Sequence, residues 1–202
     1  TFVVIEDLTD EDSPRVNYLD LGSDGVNTQI ADQLAAPSHS GVVSFDSDSY
    51  KVADTVTITL EDADLNTNSD LIDVFTTVTG TTDVDRDQVG NDVASPLDAL
   101  SFGSLGRLLD VTFDDGRWQH YNTCDTTLQS DTGDNSGLFD TGFTLVETGK
   151  DTGVFTGDFQ IPSKYCASTS ASPASVTGTD IEVNYVDYRD ASGEIIEVGD
   201  SA

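Results

Sequence analysis

The sequence predicts an all-β chain built as an antiparallel β-sandwich, and three observations carry that prediction. Apolar residues alternate with polar ones in short runs, as in Val56, Ile58 and Leu60 with Thr55, Thr57 and Thr59 between them. Clusters of Asp and Gly separate the runs, and almost nothing carries the period of an amphipathic helix. Period-two stretches rich in Val, Ile, Thr, Phe and Tyr are half-buried strands, and many short ones between tight turns stack face to face.

Taken in order, residues 1–38 are expected to form an N-terminal extension and residues 39–202 the sandwich. The extension opens with a strand-like run, Phe2, Val3, Val4 and Ile5, that has no evident hairpin partner. Such a run either completes its own sheet or adds to the exposed sheet edge of another copy. Asn27 to Ala36 is the only weak helical candidate, and Ala35-Ala36-Pro37-Ser38 reads as a linker. The run 55–60 is then the first clear sandwich strand, and the stretch from about 80 to 137 reads as a long polar insertion. Beyond it, Phe143 with Leu145, and Ile181 with Val183 and Tyr185, resume the alternation. Turns are expected at Asp114-Asp115-Gly116, Asp131 to Gly137, Glu147 to Gly153 and Asp190 to Gly193, with Ala167 to Ser175 loose and exposed.

Charge narrows the partners. Against 8 basic residues stand 38 acidic ones, a formal net charge of -30. A field of that sign repels nucleic acid and anionic lipid and attracts cations, and no run is apolar enough to insert into a membrane. Of the acids, 31 are Asp and 7 are Glu. Asp suits turns and short-armed oxygen sites for calcium rather than element interiors. The plainer reading is that the acids only keep the chain soluble. Cys124 and Cys166 are the only cysteines and sit in no metal-binding spacing, so one disulfide is expected, with two separate buried thiols as the alternative. Closing that loop contributes about 4 kcal/mol in the chain-entropy model. The opening at Thr1 is read as a processed or excised chain, and no Asn-x-Ser/Thr sequon occurs.

Three phrases in fixed order carry a resemblance: GVVSFDSDSYKVADTVTITLEDADLNTNSDLID from Gly41, ETGKDTGVFTGDFQIP from Glu147 and GTDIEVNYVDYRDASGE from Gly178. The series resembles the immunoglobulin-like modules of archaeal S-layer and related cell-surface proteins, those of ammonia-oxidising archaea in particular. The resemblance implies an immunoglobulin-like sandwich, a cell-envelope location, assembly into an extracellular layer and divalent cations bound by Asp-rich loops. A single module, the insertion and the extension depart from that family's usual tandem pattern.

Two loops are calcium candidates. Asp62, Asp64, Asn66, Asn68 and Asp70 place an oxygen at every second position after a strand, a spacing that brings alternate side chains of an extended loop toward one ion. The alternative is an acidic turn whose side chains cap backbone amides. Asp83, Asp85 and Asp87 form the second candidate, weakened by Arg86 between them. Asp187, Asp190 and Glu194 read more simply as a solvated hairpin. His39 and His120 lie in no triad or zinc pattern, and no GxSxG, HExxH or phosphate-cradling loop occurs, so no enzyme is expected. The expected function is a structural extracellular subunit that assembles with copies of itself and with calcium into a surface layer or filament. The alternative is a calcium-dependent adhesin or glycan-binding module, with Trp118, His120 and Tyr121 as its sugar-contacting aromatics; the buried side of a strand is the commoner fate of such a cluster.

Overall fold

In a computed structural model, residues 15–34, 38–66, 69–77, 88–89, 109–116, 118–119, 124, 137–167, 172–187 and 190–202 are described. They form an antiparallel β-sandwich preceded by a separate β-hairpin. The hairpin pairs β1 (Arg15–Leu21) with β2 (Asn27–Gln33) over seven residue pairs. The first sandwich sheet contains β3 (Val42–Phe45), β4 (Thr55–Glu61), β5 (Val74–Thr76), β9 (Thr144–Glu147) and β10 (Val154–Gln160), in the order β3-β4-β10-β9-β5. The second contains β6 (Gln88–Val89), β7 (Leu109–Phe113), β13 (Ile181–Asp187) and β14 (Ile196–Ser201), in the order β14-β13-β7-β6. A small third sheet sets β11 (Lys164–Ala167) between β12 (Ala174–Ser175) and β8 (Trp118–Gln119).

The alternation read from the sequence sets which side chains meet. In β4 the buried residues are Val56, Ile58 and Leu60, with the threonines facing outward. In β13 they are Ile181, Val183 and Tyr185. Between the sheets these pack with Phe155, Leu145 and Val111 into one apolar core. At one rim the two sheets are joined directly, where the Phe45 N–H of β3 donates to Asp200 Oδ2 of β14 at 2.8 Å.

Two expectations change. Of the candidate helix from Asn27 to Ala36, the described residues 27–34 are not helical: β2 occupies Asn27–Gln33 as a strand, each residue opposite one of β1. Asn and Asp lower helix propensity, and a turn at Gly22 to Val26 with Gly25 at φ 77° brings β1 alongside to take up the backbone hydrogen bonds. The stretch from about 80 to 137 is also more than an insertion. It supplies β7, which pairs with β13 inside the second sheet, and Trp118, which is fully buried. Its polar surroundings mask a five-residue strand whose Leu109, Val111 and Phe113 point inward. The turn at Asp114-Asp115 has positive φ at both residues, 50° and 59°, the backbone of a tight two-residue hairpin turn. The expected disulfide is present between Cys124 and Cys166, with Cα atoms 5.3 Å apart. The linker residues 35–37, the candidate strand Phe2 to Ile5 and the turn residues 131–136 lie outside the described residues.

Candidate functional site

At one end of the sandwich, buried carboxylates tie the loops together. Asp62 directly follows β4 and caps a 3-10 turn, Ala63–Leu65, whose Leu65 anchors it in the core. Asp62 is 2% exposed; its Oδ1 accepts the Asp64 N–H at 2.8 Å and its Oδ2 accepts the Tyr185 hydroxyl at 2.6 Å. Asp64 Oδ1 meets His39 Nδ1 at 2.8 Å, and Asp64 Oδ2 accepts the His39 backbone N–H at 3.1 Å. Asn66 Nδ2 donates to Asp151 Oδ1 at 2.7 Å, while Asn66 Oδ1 is buried without a hydrogen-bond partner.

The 3-10 turn explains why Asp62, Asp64 and Asn66 face different partners. Alternate side chains share a side of extended chain, whereas a 3-10 turn repeats every third residue. Each Asp62 oxygen accepts from one protein donor, as the capping alternative read from the sequence expects, and each keeps a second lone pair. Asp70 lies at an exposed turn; Asn68, Asp83, Asp85 and Asp87 lie outside the described residues. Among the described residues no group of three or more His, Cys, Asp or Glu side chains is arranged to hold a metal.

Sequence reasoning missed one buried acid that gathers four hydrogen bonds. Glu147, 2% exposed at the end of β9, accepts the N–H groups of Thr152 at 2.7 Å and Gly153 at 3.1 Å on Oε1, with the Thr152 hydroxyl at 3.2 Å. Its Oε2 accepts the Asp73 N–H at 3.1 Å, fixing the residue that leads into β5. Burial pushes the Glu147 pKa up, and the donors from Asp73, Thr152 and Gly153 outweigh that and hold it below the ordinary carboxylate value. Gly153 has φ 61°, and a Cβ there would lie 2.7 Å from Ala63 Cα, so the Glu147 loop and the Asp62 turn interlock only through a glycine. The one available signal was a Glu in an Asp-dominated chain, placed just before a Thr/Gly loop.

The same device recurs. Asp187, fully buried, accepts the Gly41 N–H at 2.8 Å. Asp190 Oδ1 accepts from Ser192 N, Ser192 Oγ and Glu194 N at 2.7–2.9 Å, and these bonds, the Ser192 hydroxyl first, lower its pKa. That organises the hairpin turn read from the sequence. Asp46 accepts the Tyr50 hydroxyl at 2.6 Å, its main cause of a lowered pKa, and the Thr57 N–H at 2.8 Å. On the outer face of the second sheet, burial and then Asp115, Asp180 and Asp110 raise the Glu182 pKa, since like charges disfavour its ionisation.

Trp118 is 0% exposed, donates its Nε1–H to Val111 O at 3.0 Å and packs edge-on against Phe113. It therefore presents no aromatic face to a sugar, and the adhesin reading loses its contact residue; His120 and Tyr121 lie outside the described residues. A cleft of about 250 Å³ is lined by Tyr50, Lys51, Phe113, Ile161, Val176 and Ile181 among others, with no Asp, Glu, His, Ser or Cys side chain in its walls. No helix of the described residues is long and apolar enough to cross a membrane.

The other unusual surface is the hairpin. Val16, Tyr18, Leu19, Leu21, Val26, Ile30 and Leu34 are 56–79% exposed. The register puts Val16, Tyr18 and Ile30 on one face and Leu19 and Leu21 on the other. No protein-family model matches the chain, and no curated protein matches it.

Proposed function

We propose that this protein is a structural subunit of an extracellular assembly, a surface layer or filament made from copies of itself with calcium as counterion between them. The observation that carries the reading is the hairpin, here called the arm. An isolated two-stranded hairpin is marginal in water, and a solvated one is polar on at least one face. This one exposes large apolar side chains on both, the pattern of strands covered on both sides. Large apolar side chains exposed together on both faces of one hairpin mark an interaction site.

The charge sets the conditions of assembly. Copies carrying -30 repel, and like charges facing across an interface disfavour it by several kcal/mol. Divalent cations shared by surface carboxylates relieve that repulsion, and calcium, a hard cation, prefers such oxygens. The Cys124–Cys166 disulfide suits an oxidising, extracellular compartment. The resemblance to S-layer modules points the same way.

Electron microscopy and sedimentation velocity of the purified chain across a calcium titration test this. Sheets or filaments are expected with calcium, dissolving when chelator is added. Monomers at every calcium level would overturn the assembly reading, and assemblies that persist in excess chelator would remove calcium from it.

A further inference from the structure

We infer that the arm of one copy docks along the β5 edge of the next, with β1 extending that copy's five-stranded sheet; the inference rests on the self-assembly reading above. The acceptor is visible in the sheet order. β5 pairs with β9 on one side, and among the described residues no strand pairs with it on the other. Beside this edge Leu71, Ile72 and Val74 are 60%, 50% and 52% exposed, and Val146, the cross-strand partner of Val74, is 41% exposed. An apolar edge strand is a template for pairing that monomeric proteins blunt with charge, proline or a cover. The opposite edge is different, because β3 packs against β14 through Phe45 and Asp200.

Donor and acceptor match in three respects. The first is shape: a strand added beside β5 has one face continuing the exposed Val74–Val146 row. Its other face covers Phe75, which is half-buried against Phe155 at 5.2 Å. That uses both apolar faces of the arm. The second is charge: β1 holds Arg15 and Asp20 and is net neutral, and β5 holds no charged residue, in a chain of -30. Along this pair the repulsion that opposes packing elsewhere is reduced, Asp73 just before β5 being the acidic residue nearest the acceptor strand. The third is area. With roughly 60–120 Å² of apolar surface per large side chain, the seven exposed residues offer on the order of 400 Å². A standard interface of about 800 Å² per partner, somewhat over half apolar, requires about that much.

The arm precedes β3 in the chain, and β3 and β5 lie at opposite edges of one sheet, four strand spacings or ~19 Å apart. Donor and acceptor surfaces are thus different patches. Passed in one direction from copy to copy, such a contact is heterologous and propagates head to tail, whereas reciprocal exchange of arms closes a dimer, which sedimentation velocity tells from a polymer.

Two full-length variants separate the possibilities, with sedimentation velocity as readout and thermal melting as the fold check. The arm-blocked chain carries Tyr18→Asp and Leu19→Asp, and the edge-blocked chain carries Ile72→Asp and Val74→Asp. Each alone is expected to lose self-association by about 100-fold or more, as for removal of interface anchors. Mixed one to one, they are expected to form a heterodimer that grows no further, because only one arm and one edge remain. An edge-blocked chain that polymerises like the parent overturns the docking site and leaves the assembly reading standing, whereas a parent chain that stays monomeric overturns that reading itself. Should the edge-blocked chain melt early, Leu19→Cys and Val74→Cys placed in separate copies give a second measurement. Intermolecular disulfide formation on oxidation supports the contact, and its absence in assembled parent-like polymers overturns it.

Discussion

β1 and β4 are both seven-residue antiparallel strands with large apolar side chains, yet they end in opposite environments. β4 buries Val56, Ile58 and Leu60 to within 1% of full burial, while β1 leaves Val16, Tyr18, Leu19 and Leu21 at least 61% exposed. The difference lies in their neighbours. β4 has β3 and β10 on its two sides and a second sheet over its inner face, whereas β1 pairs with β2 alone. It lies also in the pattern: β4 alternates apolar with threonine, while Leu19 follows Tyr18 directly and puts apolar groups on both faces. A single covering sheet satisfies the first pattern. The second is satisfied only by a strand placed inside a layer, and this chain supplies no such layer to its own arm among the described residues.

Breaking the well-covered half should have the largest effect. Phe155→Ala removes a fully buried ring near the start of β10 and is expected to cost about 3–5 kcal/mol, read from denaturant unfolding. Reducing the Cys124–Cys166 disulfide should follow, at ~2–4 kcal/mol, since it frees a closed loop of sequence separation 42. A smaller effect, with opposite sign, is expected on the acidic outer face. Glu182→Gln should stabilise the sandwich at pH 7, by no more than about 1 kcal/mol because surface charges are screened.

The pH dependence of melting follows from the same two glutamates. Glu147 has a depressed pKa in the fold, so its contribution is present above the ordinary value of 4.5 and is lost as pH falls through the lower folded value. Glu182 has a raised pKa, so its contribution is present below 4.5 and is lost as pH rises through the higher folded value. Glu147→Gln should therefore flatten the loss of stability on acidification, and Glu182→Gln should steepen the net acid dependence. The smallest expected effect is on the arm. Leu19→Ala should shift the sandwich's melting by no more than about 0.5 kcal/mol, because that side chain touches little of the core. A large shift would show that the arm folds with the sandwich and would dissolve the contrast.

Sequence reading of the polar end reached only part of the way. Asp62 and Asp64 were legible as side chains of consequence, since Asp directly after a strand either caps or chelates. Their partners were not, because Tyr185 lies 123 residues from Asp62 and His39 lies 25 from Asp64. Glu147 was hidden for a related reason. Its worth comes from four donors gathered by the folded chain at Asp73, Thr152 and Gly153, and a lone glutamate at a strand end announces none of them.

By itself the sequence determined the class of the fold, the inward faces of β4 and β13, the turns at 114–116, 147–153 and 190–193, and the single disulfide. Each follows from local chemistry: side-chain alternation, left-handed turn backbones and the presence of two cysteines. Only the tertiary structure decided that β7 belongs to the second sheet, that Trp118 points into the core, and that residues 27–33 form a strand. It alone also left the arm's large apolar side chains exposed and, among the described residues, left β5 paired on one side only. Those outcomes depend on which distant segment completes a hydrogen-bond ladder or covers an apolar face, and pairing of that kind is a property of the folded chain rather than of any window along it.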